Sequence, residues 1–490
     1  MPSLEVRESD LSLTDITKTE IKSPAGSAMD DTWVTDTRNP RNWTSGQKWT
    51  TTFVISFYTL IPPLASSMMA PALPEIAERF DITSPTVVAL TLSIFLLTFA
   101  FGPLIFGPLS EIYGRKWILH IANLLSLAFN TACGFVPTTG ALIGMRVLAG
   151  FVGSAPVTIG GSVISDLFSP EDRGSAMAIY TLGPLLGPGI GPIIAGYVAQ
   201  TVGYRWIFVI IGCLSAAASI VGVPVLRETY APVIQAGIAK AGGVDEEKGG
   251  VMRDGLVAGA GGEWGLIWVN LKRPVILFTR SSICFLLSLY MGLQYGICYI
   301  MFSTFPALYS DVYHFGPGAS GLTYIGLGLG FVCSTFVGGP VAHRLYAKMS
   351  ANNGGKGRPE FRLPSLIVCS FIVPIGLFWY GWSAQAHLHW MMPIIGTAIY
   401  GFGVFGTFIP IQLYLVDTFT YAASALATAA VFRSLFGFGF PLFGEQMLTK
   451  LGYGGANSLL AGLAIVLGVP FPIWLYFNGE QMRARSSLAR

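Results

Sequence analysis

The chain has 490 residues, of which 52% are hydrophobic and only 11% charged, with a net charge of +3 and a mean hydropathy of +0.60. Soluble domains carry roughly 25% charged residues, so this chain cannot clothe a globular surface and most of it must face lipid. The small net charge also removes the electrostatic case for a nucleic-acid partner.

Residues 1–48 are polar and mixed in charge. They lack the apolar core and small-residue cleavage site of a signal peptide, and read as a disordered cytoplasmic tail. Crossing about 30 Å of hydrocarbon takes roughly 20 apolar residues. Runs of that length lie near 49–71, 87–107, 117–137, 139–164, 175–198 and 204–226. After a polar stretch they resume near 282–309, 320–341, 364–382, 390–416, 422–443 and 456–477. The pattern predicts an all-α membrane protein with twelve transmembrane helices in two six-helix bundles, 49–226 and 276–477. A cytoplasmic central loop, 227–275, joins them through a glycine-rich flexible stretch, and 478–490 form a cytoplasmic C-terminal tail.

Orientation follows from the basic residues, which concentrate on the cytoplasmic face. With both ends cytoplasmic, 23 of the 29 Lys and Arg lie on that side and only Arg79, Arg205 and Lys450 on the other. The single glycosylation sequon, at Asn42, is then cytoplasmic and reads as polar capping of the first span. A shift of 232 positions maps Pro85 onto Pro317, Gly107 onto Gly339, Pro108 onto Pro340 and Lys116 onto Lys348. With equal span counts on either side, this echo points to two parallel repeats.

Three stretches carry the chemistry. GPLSEIYGRK (107–116) puts an acid, glycines and two basic residues into one short turn. A charge anchor explains Arg115 and Lys116 but not the acid or the glycines. RVLAGFVGSAP begins at Arg146, inside the fourth span, with Gly150, Gly153 and Val157 on the same helical face. A charge at mid-helix costs about 2.5–3.5 kcal/mol even on lenient insertion scales, so it faces a cavity, a partner or backbone carbonyls. GPLLGPGIGPIIAG (183–196) repeats Gly183, Gly187 and Gly191 every four residues, a smooth stripe on the fifth span. Beside it Pro184, Pro188 and Pro192 each free a carbonyl four residues earlier, which predicts a bendable helix.

Gly107, Glu111, Gly114, Arg115 and Lys116 resemble, position for position, the signature loop of the major facilitator superfamily, with Glu111 where aspartate is usual. The resemblance implies a loop that locks the two halves together on the cytoplasmic side. The Arg146 stretch resembles the family's fourth-span motif, whose arginine is linked to proton coupling, and the Gly-Pro array resembles the motif that marks its antiporters. SPEDRGSAMA (169–178), GYRWIF (203–208), ETYAPV (228–233), RPEFRLP (358–364), LYLVDTFTYAASALA (413–427) and FRSLFG (432–437) are similar to the fungal twelve-span drug:proton antiporters. In that fold, spans 1, 4, 7 and 10 line the cavity. The implied substrate contacts are Tyr290, Gln294, Tyr295 and Tyr299 on span 7 and Gln412 and Tyr414 on span 10, or these residues tie helices together.

Other classes find little support. There is no Walker loop, and the five histidines form no metal-binding cluster. GLGLGF (326–331) lies inside a span and reads as helix packing, and six cysteines in apolar runs without CxxC spacing read as small apolar residues. No cofactor, metal or catalytic constellation is expected, and so no enzyme. Glu75, Glu78, Asp417 and Glu445 all stand near span ends. Proton coupling must therefore use a terminal acid, a histidine or an arginine-tuned network, or else transport is uncoupled. The resemblance implies a monomeric, proton-driven exporter of small hydrophobic organic molecules (drugs, toxins or secondary metabolites) in the plasma membrane, with the vacuolar membrane as the other site. A proton-coupled importer of the same fold is the alternative.

Overall fold

The computed structural model describes residues 33–169, 172–241, 275–419 and 422–484. Most of the expected tails and of the central loop lie outside these residues. The N-terminal half comprises α1 (Ser45–Ser67), α2 (Leu73–Arg79), α3 (Pro85–Ile112), α4 (Arg115–Cys133), α5 (Thr139–Leu167), α6 (Arg173–Val202), α7 (Tyr204–Val225) and α8 (Ala231–Ala241). The C-terminal half holds α9 (Ser282–Asp311), α10 (Pro317–Leu322), α11 (Ile325–Cys333), α12 (Gly339–Asn352), α13 (Leu363–Gln385), α14 (Met391–Thr418), α15 (Ala422–Gly439), α16 (Pro441–Gly468) and α17 (Pro470–Ala484). Among the described residues ten helical stretches are long and apolar enough to cross a membrane. The protein is an all-α, multi-pass membrane protein. α4, with buried His120, Asn123 and Asn130, is less apolar than its neighbours.

Local chemistry sets several boundaries. Residues 33–44, expected to belong to the disordered tail, instead fold into short turns against the start of α1, which itself takes in 45–48. Asn42 donates to the carbonyls of Val34 and Asp36, and Asn39 accepts from the Arg41 amide. Thr44 and Gln47 then cap α1 reciprocally, satisfying amides that the first helical turn leaves open. The eighth expected span runs on past 341, because a π turn at Ser334–Gly338 leads into α12, a polar helix with no buried residue. The last two expected spans also shift. The polar run 444–450 looked like a connection, yet the helix continues through it and breaks at Gly452, whose φ of 70° is left-handed. Gly203, with φ 90°, makes the matching break between α6 and α7. Both glycines precede a tyrosine, Tyr204 and Tyr453, and an added side chain would be strained at either.

Within the N-terminal half, α1 packs on α6 and α3 on α5; within the C-terminal half, α9 packs on α15 and α13 on α14 and α16. The halves meet where α6 crosses α10 and α11 and where α3 crosses α15 and α16. These meetings gather at the end of the molecule away from the 107–116 turn. There Gln446 donates to Thr86 at 3.1 Å, and the Gly318 amide donates to Gln200 at 2.9 Å. A Cβ on Gly196 would lie 2.6 Å from the Pro317 carbonyl and 2.8 Å from the Gly321 Cα. One on Gly189 would lie 3.1 Å from the Gly328 Cα. At the other end, a Cβ on Gly107 or Gly339 would meet nothing within 4 Å. Among the described residues, the halves close at one end and part at the other.

This contact predicts that Gly196→Leu pries the closed end open. In a background with the six native cysteines replaced, Thr86→Cys paired with Gln446→Cys should cross-link readily. Adding Gly196→Leu should remove most of the cross-link, and an unchanged yield would show that the glycine contact does not hold that end.

Candidate functional site

At the parted end, the 107–116 turn is organised by two acids, Glu228, which opens the ETYAPV stretch, and Asp166, which no sequence motif marked. Gly114 adopts φ 91°, and the Glu228 carboxylate occupies the space a side chain there would need. Glu228 Oε1 accepts from the Arg115 amide at 2.9 Å and Oε2 from the Lys116 amide at 3.2 Å. A carboxylate at a helix N-terminus satisfies open amides and favours the helix dipole, so Glu228 caps α4 from the chain beyond α7. Its Oε1 also accepts from the Thr229 and Tyr230 amides. Arg115, 6% exposed, donates to Ser110 at 2.5 Å, pairs with Asp166 at 3.5 Å and lies 4.6 Å from the Tyr230 ring centre. Asp166 closes the last turn of α5 and accepts from Thr229. Glu111 stands exposed at the start of the turn. Burial first, and the Glu111 charge next, raise the Tyr230 phenol above its ordinary pKa.

The C-terminal half repeats the arrangement. Arg362 pairs with Asp417 at 3.2 Å and lies 3.8 Å from the Tyr346 ring centre. Asp417, like Asp166, sits two residues before a phenylalanine at a helix end, in Asp166-Leu167-Phe168 and Asp417-Thr418-Phe419. Glu360 holds Arg483 at 2.9 Å, and Arg358 meets Glu480 at 2.9 Å. Asp166, Asp417, Glu360 and Glu480 thus neutralise arginines at the rims.

Arg146 is fully buried. Its guanidinium donates to the carbonyls of Ala65 (3.0 Å), Leu92 (3.2 Å) and Thr91 (3.3 Å), and stacks 4.8 Å from the Phe95 ring centre. Ala65 lies in the last turn of α1, where carbonyls lack helical donors. Arg146 therefore ties α5 to the end of α1 and to α3 through backbone acceptors. Gly150 and Gly153 make that tie possible, since Cβ atoms there would meet Thr98 at 2.6 Å and Pro62 at 3.4 Å.

The Gly-Pro stretch divides its faces. Gly183, Gly187 and Gly191 press on α1, where Cβ atoms would meet Leu60 N at 3.0 Å, Leu64 N at 2.8 Å and Ser67 Oγ at 2.8 Å. Gly189 and Gly196, outside the predicted stripe, face the other half. Pro184, Pro188 and Pro192 all lie within α6, which stays helical from Arg173 to Val202.

The aromatic and amide residues of spans 7 and 10 separate. Tyr299 shares a 2.8 Å hydroxyl hydrogen bond with Ser66 across the seam between halves, and its ring centre lies 4.9 Å from that of Tyr295. Tyr290 instead packs on Gly468 inside the C-terminal half, while the Gln294 backbone carbonyl accepts from Tyr400 at 2.7 Å and its buried side-chain amide has no hydrogen-bond partner among the described residues. Gln412 is half-buried, and Tyr414 is buried within electrostatic range of the Glu360–Arg483 pair at the parted end. The structure brings Tyr295 and Tyr299 to the seam and places Tyr290 and Tyr414 elsewhere. Of the cysteines, Cys133, Cys284 and Cys298 are buried, Cys369 is half-buried, and Cys213 and Cys333 are exposed; all six are free.

The model for the Major Facilitator Superfamily matches residues 55–441. The chain is 42% identical over 469 residues to "Efflux pump vrtL" of Penicillium aethiopicum, covering 93% of this chain and 90% of that protein. It is 42% identical over 451 residues to "MFS-type transporter penM" of Penicillium rubens, covering 91% and 88%. Its fold resembles the partially occluded inward open conformation of the xylose transporter XylE from E. coli, with a TM-score of 0.59, 14% identity and coverage of 88% and 99%. The chain belongs to the Major Facilitator Superfamily of secondary active membrane transporters, and it is a transporter rather than an enzyme.

Proposed function

We propose that this transporter exports small, moderately hydrophobic organic molecules, among them drugs, toxins or secondary metabolites, in exchange for protons. The working unit is a monomer in the plasma membrane with both termini cytoplasmic. Its twelve spans form two six-helix bundles, 49–226 and 276–477, linked by 227–275. Relatives named as efflux pumps, vrtL and radE, support the direction. One observation carries the mechanism: the halves touch through glycines and a few polar bonds at one end and part at the other. A seam of that kind can close at either end while each half keeps its internal packing. The parted end carries the 107–116 turn, so in the proposed orientation the structure corresponds to the inward-facing state.

In the outward-facing state, the open side of Gly107 receives the facing helix and Glu111, Arg115 and Lys116 gate the cytoplasmic rim. Glu228 and Asp166 hold that turn ready in both states. Arg146 couples the ends of α1, α3 and α5, and α6 is the lever, gripped by α1 along Gly183, Gly187 and Gly191.

The test of direction uses cells expressing Gly187→Leu. A leucine there collides with the α1 backbone, blocks interconversion and should raise retained substrate several-fold relative to the parent. Lys450→Cys, labelled from outside by an impermeant thiol reagent, reports surface level and orientation together. Lower retention would support the importer, and an unlabelled Lys450→Cys would reverse the topology.

The two acids near the turn should separate stability from gating. Glu228→Ala leaves the α4 amides open and should lower stability by about 1.5–3 kcal/mol, read as a fall in thermal unfolding temperature of the purified protein. Glu111→Gln should leave that temperature unchanged while cutting substrate-dependent proton flux in liposomes, and Glu111→Asp should transport normally. Full flux in Glu111→Gln would reduce the turn to a charge anchor.

A further inference from the structure

Arg433 lies midway along α15 and was not among the residues expected to meet substrate. Its guanidinium carbon sits 5.1 Å from the Tyr295 ring centre, and its Nε is buried with no hydrogen-bond acceptor among the described residues. No acid among the described residues reaches it. Asp166, Asp417, Glu360 and Glu480 are each paired with another arginine, at the rims. The other arginine inside the helices, Arg146, is satisfied by three carbonyls and needs no counter-ion. An unpaired guanidinium at this depth is costly, and stacking on one tyrosine offsets only part of that cost.

Its surroundings place it on the transport path. One turn on, Gly437 wedges between the two halves, with Leu96 of α3 and Tyr295 of α9 at 2.8 and 2.9 Å from where its Cβ would be. Arg433 lies on the parted side of that contact, and its side chain is half-buried. Tyr295 stacks toward Tyr299, which holds Ser66 of the other half, and the Phe408 ring centre lies 6.4 Å from that of Tyr295. The site offers one unmatched cation, flat apolar surface and two hydroxyls shared across the seam.

We propose that Arg433, Tyr295 and the Ser66–Tyr299 hydroxyl pair form a binding site for an anionic oxygen, a carboxylate or an acidic phenol, on an aromatic substrate. The guanidinium fork matches a carboxylate bidentately, and the tyrosine and phenylalanine rings take the aromatic body. The bound anion is then the counter-ion that the described residues do not supply. This rests on the export reading for the direction of movement and adds the charge of the cargo.

The test uses the full chain in phosphatidylcholine nanodiscs at neutral pH, with binding read by equilibrium dialysis. The probes are 2-naphthoate, salicylate and 1-pyrenebutyrate, each beside its uncharged primary amide. At least one acid should bind about tenfold more tightly than its amide, as a charged hydrogen bond implies. Arg433→Gln should remove that preference and Arg433→Lys should keep part of it. Because the wild-type charge has no partner among the described residues, Arg433→Gln should unfold at the same or a higher temperature than the parent. Acids that bind no better than amides, a preference that survives Arg433→Gln, or a lower unfolding temperature in that variant would each overturn the site. The export reading fails separately. If acids bind with this preference but expressing cells do not expel them, the site stands and the direction falls. If cells expel neutral compounds and no acid binds, export stands and the site falls.

Discussion

The close approach of α6 to α10 and α11 is the constraint on which the rest of the structure depends. Between helices in lipid there is little hydrophobic driving force, so association relies on close packing and on polar bonds made where no water competes. Gly189 against Gly328 and Gly196 against Gly321 bring backbones into direct contact, and the Gln200 bond to the Gly318 amide closes that end. Such a seam has few polar ties to undo before it slides or opens, while the buried apolar core runs through both halves. α6 belongs to both worlds. One of its faces is locked to α1 and the other rests on the opposite half.

Ion pairs at the parted end do a different task. Arg115 with Asp166, and Arg362 with Asp417 beside Glu360 and Arg483, each bind the rim of one half to itself, and the Glu228 carboxylate accepts from the Arg115 amide. They stiffen the ends of α4, α5, α13 and α14 and leave the gap between halves unbridged by these pairs. Arg146 plays the corresponding part at depth, using carbonyls where the rims use carboxylates. Arg433 stands apart from all of them, a charge oriented toward the seam with no acceptor of its own among the described residues.

Much of this was legible in the chain. Lipid thickness dictates the length of an apolar run, so most helix positions could be read closely. What escaped depends on three-dimensional neighbours. Helical periodicity put Gly183, Gly187 and Gly191 on one face, but could not say that this face meets α1 while Gly189 and Gly196 meet the other half. Backbone carbonyls have no letter in a sequence, so the partners of Arg146 were invisible, and so was the capping of α4 by Glu228 from the far side of three helices. Tyr414 had the right residue type at the wrong depth. Gly452 breaks its helix through a left-handed φ that composition does not mark, whereas the polar residues before it looked like a loop and are helix.

The central claim is that two internally rigid halves exchange which end of one seam is closed. Double electron–electron resonance tests it directly with spin labels at Ser175→Cys and Arg344→Cys across the parted end, and at Thr201→Cys and His314→Cys across the closed end. A third pair, Ser175→Cys and Trp117→Cys, lies within the N-terminal half. Under a proton gradient with transported compound present, the account predicts a second population in which the first distance shortens, the second lengthens and the third stays fixed. Distances that change together at both ends, or a third distance that moves as much as the first, would contradict it.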